Sequence, residues 1–118
     1  MVLNHLNLTV TDVPAARRFL ETYFGLQAHT NPYMGTVTGA AEHPSFAVLF
    51  DDRGMVLTLM KARAADYPAT FHIGFIQASE AEVDAMHARL VDADAPTRSH
   101  AWTFYVRAPG GFVVEVLA

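Results

Sequence analysis

Cysteine is absent from this chain, which excludes disulfides, thiolate metal sites and a cysteine nucleophile. Charge is also scarce. Charged residues make up 17% of the sequence, and Arg17-Arg18 is the only adjacent basic pair among 8 scattered Lys and Arg. With a net charge of −4 and no basic stripe, nucleic acid is not expected as a partner. No apolar run approaches the length of a bilayer span, so no membrane partner is expected either. The opening "MVLNHLNLT" lacks the basic region and long apolar stretch of a signal peptide, so the expected address is cytoplasmic.

Apolar residues make up 52% of the 118 positions, enough for one folded domain with a real core. The first pattern is alternation. "LNHLNLTV" sets His5, Asn7 and Thr9 on one face of a strand and Leu6, Leu8 and Val10 on the other. A helix follows in "TDVPAARRFLETYFGL", with Asp12 as N-cap, Pro14 in the first turn and Gly25 at its close. Ala16, Phe19, Leu20 and Tyr23 form its buried stripe. Residues 27–45 fit one irregular strand and a loop, and "FAVLF", "DDRG" and "MVLTLM" form a hairpin.

The pattern then begins again. "TFHIGFIQ" places Thr70, His72 and Gly74 opposite Phe71, Ile73 and Phe75. Ser79 and Glu82 form a capping box before a helix with Val83, Met86 and Leu90 inward. "WTFYV", "APGG" and "FVVEVLA" repeat the hairpin, with Trp102, Phe104 and Val106 as the expected core face and Thr103 and Tyr105 opposite. At an offset of 67 residues His5 falls on His72 and Asp12 on Ser79. The expected fold is therefore α+β: two tandem βαβββ modules, 1–61 and 70–118, joined by a linker at 62–69. Each module buries one sheet face under its helix and leaves the other free to cup a cavity.

Glu115 is a carboxylate in an otherwise apolar strand, which is costly unless it is paired or hydrogen-bonded. It stands four residues past Gly111, as Thr58 stands four past Gly54. Symmetry thus points His5, Thr58, His72 and Glu115 at the cavity. Two imidazoles and a carboxylate with an open position suit one divalent ion, Zn, Fe(II), Mn, Ni or Co. The plainer alternatives are hydrogen-bonded structural histidines and a Glu115–Arg107 pair across the last hairpin. Tyr105 and His100 are candidates for proton transfer. Asn7, Thr58, Thr103 and Tyr105 are candidates for substrate contact. His29 and His43 lie in loop-rich sequence, and His87 flanks the second helical stripe.

"LNHLNLTVTDVPAARRFLETYFGL", "FHIGFIQASEAEVDAMHARL" and "FYVRAPGGFVVEV" together resemble the vicinal oxygen chelate superfamily. That superfamily gathers glyoxalase I, extradiol dioxygenases, fosfomycin-modifying enzymes and bleomycin-binding proteins. The resemblance implies a cupped mixed sheet, a metal held by His5, His72 and Glu115, and chelation of a small substrate through neighbouring oxygens. It implies lyase, isomerase or dioxygenase chemistry, or else drug binding without chemistry. Glyoxalase I supplies a further ligand where this chain has Thr58. The resemblance also implies a homodimer in which His5 comes from one chain and His72 and Glu115 from its partner.

Overall fold

The structure, a computed structural model, describes residues 1–28, 43–90, 97–100 and 102–118, with backbone alone at 97–100. Two compact units divide the chain, Met1–Ala65 and Asp66–Ala118. The boundary falls inside the linker read from the sequence.

The first unit runs β1 (His5–Val10), α1 (Val13–Phe24), β2 (Gln27–Ala28), β3 (Phe46–Phe50) and β4 (Val56–Lys61). Its sheet has the order β1-β4-β3-β2. β1 lies parallel to β4, while β3 is antiparallel to β4 and to β2. A parallel neighbour requires a crossover, and α1 belongs to it. Asp12 caps the helix, its carboxylate accepting from the Ala15 N–H at 3.1 Å. Gly25 ends it at φ 67°, a conformation in which a Cβ is strained. Val13, Ala16, Phe19 and Leu20 of α1 are buried with Leu8, Val10, Ala47, Leu49, Leu57 and Leu59 of the sheet. The opposite face of β1 carries His5, Asn7 and Thr9, as alternation requires.

The second unit repeats the plan with β5 (Ile73–Ile76), α2 (Glu80–Leu90), β6 (Thr97–His100), β7 (Thr103–Arg107) and β8 (Val113–Leu117). The sheet order is β5-β8-β7-β6, with β5 parallel to β8. The Glu82 N–H donates to Ser79 Oγ, and the Glu82 carboxylate reaches back to the Ala78 N–H. The box thus closes one residue earlier than the usual pattern. Val83, Met86 and Leu90 pack inward, and Phe104, Val106, Phe112, Val114 and Val116 complete the core.

Two residues expected in the core are not fully buried. Tyr23, in the last turn of α1, is only half-buried. Trp102 is 49% exposed because β7 begins only at Thr103, leaving the indole on the preceding turn rather than on the alternating face.

Two substitutions separate cap from core. Asp12→Ala should lower unfolding free energy by about 1 kcal/mol, and Leu59→Ala by about 2–5 kcal/mol. Denaturant titration measures both. A loss for Leu59→Ala no larger than the cap loss would contradict this placement of the core.

Candidate metal centre

Glu115 occupies β8 between Val114 and Val116, both fully buried. The ladders set Gly74 of β5 on one side of it and Tyr105 of β7 on the other. Its two oxygens have different partners. Oε1 accepts from Thr103 Oγ1 at 3.0 Å and from the Tyr105 hydroxyl at 2.9 Å. Oε2 stands 3.1 Å from His72 Nε2. The expected alternative partner, Arg107, sits opposite Val113 instead. The hairpin turn fixes that register, so Arg107 is out of step with the acid by a full pleat.

His72 lies just before β5, with its ring edge-on to Tyr105 at 5.5 Å. Its Nδ1 is 3.0 Å from the Thr70 carbonyl. A carbonyl only accepts, so Nδ1 carries a proton and donates it. In the neutral ring Nε2 is then a lone pair, facing a carboxylate oxygen. Two electron-rich atoms this close call for positive charge between or beside them, supplied by a second ring proton or by a cation. Imidazole and carboxylate donors anchored from behind suit a divalent ion.

The Tyr105 hydroxyl is held above its ordinary pKa, first by its hydrogen bond to Glu115, then by burial and by the adjacent negative charge. At neutral pH it is a donor. Thr103, expected to face substrate, is 5% exposed and its hydroxyl is given to Glu115. Counting outward from the four-residue "APGG" turn would pair Arg107 with Phe112 and Tyr105 with Val114. The strands instead close around Ala108 and Phe112, one residue later, which sets Tyr105 opposite Glu115.

In the first unit, His5 is exposed at the start of β1 with Nδ1 2.8 Å from Asn4 Oδ1. Both histidines therefore use Nδ1 on a neighbouring oxygen. Thr58 stands opposite Asn7 and donates to Asn7 Oδ1 at 2.7 Å. Within either unit taken by itself, no three His, Asp or Glu side chains gather among the described residues. His43 accepts from the Ser45 N–H, and His87 packs edge-on against Phe104 at 5.1 Å. The ring of His100 and all of His29 lie outside the described residues.

A family model described as Glyoxalase/Bleomycin resistance protein/Dioxygenase superfamily matches residues 2–116. A structure titled a possible glyoxalase from Bacillus cereus is 47% identical with a TM-score of 0.84, covering 100% of this chain and 99% of that one. Lactoylglutathione lyase from Agrobacterium tumefaciens is 22% identical with a TM-score of 0.71, covering 98% and 92%. The fosfomycin resistance protein FosX from Listeria monocytogenes, in its tetragonal form, is 18% identical with a TM-score of 0.76, covering 100% and 90%. The last two show likeness of fold alone. Among curated proteins none matches. No helix among the described residues is long and apolar enough to cross a membrane.

The Glu115 contact has a measurable signature in the metal-free protein. The phenolate absorbance lost in Tyr105→Phe should titrate above the ordinary tyrosine value of 10.0 and move back toward it in Glu115→Gln. A raised acid contributes stability that is complete below its unfolded pKa and lost as pH rises through its folded one. A Tyr105 titration unchanged by Glu115→Gln would contradict the hydrogen bond.

Proposed function

The chain belongs to the glyoxalase/bleomycin resistance protein/dioxygenase superfamily, and from that membership we propose that it is a divalent-metal-dependent enzyme acting on a small substrate with two neighbouring oxygens. The observation that carries the reading is the 3.1 Å approach of His72 Nε2 to Glu115 Oε2, with His72 Nδ1 tied to the Thr70 carbonyl. His72, Glu115 and His5 are the residues assigned to the metal. When bound, the ion supplies Lewis acidity and a template for the paired oxygens.

The remaining work falls to the chain itself. The Thr70 carbonyl fixes the His72 ring and its tautomer. Tyr105 carries a proton on its hydroxyl at neutral pH and donates it to Glu115 Oε1. Asn7 and Thr58 place an amide and a hydroxyl on the first sheet's free face, where they orient polar groups of a substrate. His100 and Tyr105 are the proposed proton carriers. The chemistry is of lyase, isomerase or dioxygenase type, and the protein is proposed to act in the cytoplasm.

We further propose a homodimer with two sites, each taking His5 from one chain and His72 with Glu115 from its partner. The second unit alone brings together two of the residues assigned to the metal, His72 and Glu115, and a catalytic site of this kind takes about three.

Metal analysis after mild, chelator-free purification should find about one Zn, Fe, Mn, Ni or Co per chain. His72→Ala and Glu115→Gln should lose it and keep the fold by circular dichroism. Wild-type protein that takes up no metal on reconstitution would leave the non-catalytic, drug-binding reading instead. Mixing His5→Ala chains with Glu115→Gln chains tests the sharing. A shared-site heterodimer carries both lesions in one site, so about half of normal metal binding returns. Heterodimers that form without any recovery would show that each chain builds its own site.

A further inference from the structure

The second unit treats the two oxygens of Glu115 unequally. Oε1 is taken by two hydroxyl donors, Thr103 at 3.0 Å and Tyr105 at 2.9 Å. Thr103 is the only buried polar or charged residue among the described residues, and its hydroxyl goes to this oxygen. Oε2 meets His72 Nε2, and from the β5 side it meets a glycine.

Gly74 stands opposite Glu115 as Asn7 stands opposite Thr58, and the offset of 67 residues makes the two pairs equivalent. In the first unit the asparagine touches its cross-strand neighbour at 2.7 Å. In the second unit nothing extends from that position. The backbone does not require this, since Gly74 does not occupy the left-handed region. A Cβ there would lie 3.7 Å from Leu117 Cδ2 and 3.8 Å from Glu115 Oε2, which is ordinary contact. What glycine preserves is an Oε2 with no side chain laid over it from the β5 position opposite. A longer polar side chain would lie across that oxygen and give it a charge-assisted hydrogen bond.

We propose that Thr103 is a positioning residue that, with Tyr105, fixes Glu115 by Oε1, and that Gly74 keeps the β5 side of Oε2 clear, so that Glu115 offers a divalent cation a single oxygen. This rests on the metal-dependent reading above and assigns Thr103 to the ligand rather than to substrate. One-oxygen ligation favours a small ion with few ligands over Ca²⁺, which takes 6–8 oxygens and readily uses carboxylates through both.

The test is calorimetric titration of metal-free, full-length protein with Co²⁺ and then Ca²⁺, alongside thermal melting of the metal-free forms. Thr103→Val keeps the shape and removes the hydroxyl, and should weaken Co²⁺ binding about 10- to 100-fold, while Thr103→Ser should stay within about threefold of wild type. Gly74→Asn should weaken Co²⁺ at least about tenfold with an unchanged melting temperature, and Gly74→Ala should bind nearly as wild type. Wild-type protein should prefer Co²⁺ to Ca²⁺. Equal effects of the valine and serine variants, or a Gly74→Asn protein that binds as wild type, would overturn the inference while leaving the metal reading standing. Wild-type protein that binds no Co²⁺ would overturn the metal reading and the inference with it.

Discussion

A carboxylate on an inner strand has to be answered by its neighbours. Glu115 sits on β8, flanked by β5 and β7, with fully buried valines before and after it. Its side chain is 17% exposed, too little for water alone to solvate the charge. The sheet responds with two hydroxyl donors on one oxygen, and the other oxygen faces the His72 imidazole. Breaking either hydroxyl contact leaves a partly buried charge short of a donor, which costs more than the contact itself contributes. The positions of Thr103, Tyr105 and His72 make sense together only around that acid.

The first unit shows the same plan without the charge. Thr58 takes the place of Glu115, Asn7 the place of Gly74 and Val48 the place of Tyr105. A neutral hydroxyl is satisfied by one amide oxygen, so no second donor is needed from β3 and an apolar valine serves there. Both units keep a histidine at the mouth of the first strand, each using Nδ1 on a nearby oxygen. One repeat carries an acid with two hydroxyl donors and a histidine beside it, and the other carries a histidine and a neutral Asn7–Thr58 pair.

Local signals carried most of the fold into view from sequence. Period-two alternation gave β1 and its polar face, and Asp12, Pro14 and Gly25 marked the ends of α1 because capping is decided within a few residues. The equivalence of Thr58 and Glu115, counted from turn glycines, agrees with the cross-strand registers. Partnerships across strands were harder. Arg107 was a reasonable partner for Glu115 by charge, but the turn pairs it with Val113, and two uncharged hydroxyls stabilise the acid instead. Thr103 looked like a cavity residue because alternation shows the face and not the depth. Trp102 looked like core because its alternation was continued past the point where the strand begins.

The central claim is that the space between His72 Nε2 and Glu115 Oε2 belongs to a cation. Anomalous diffraction from crystals grown with Co²⁺ and recorded at the cobalt edge tests this most directly. The account predicts an anomalous peak within coordination distance of both atoms, with Glu115 Oε1 still held by Thr103 and Tyr105. A protein that crystallises in the presence of Co²⁺ with no peak there, and with His72 and Glu115 still in direct contact, would contradict it.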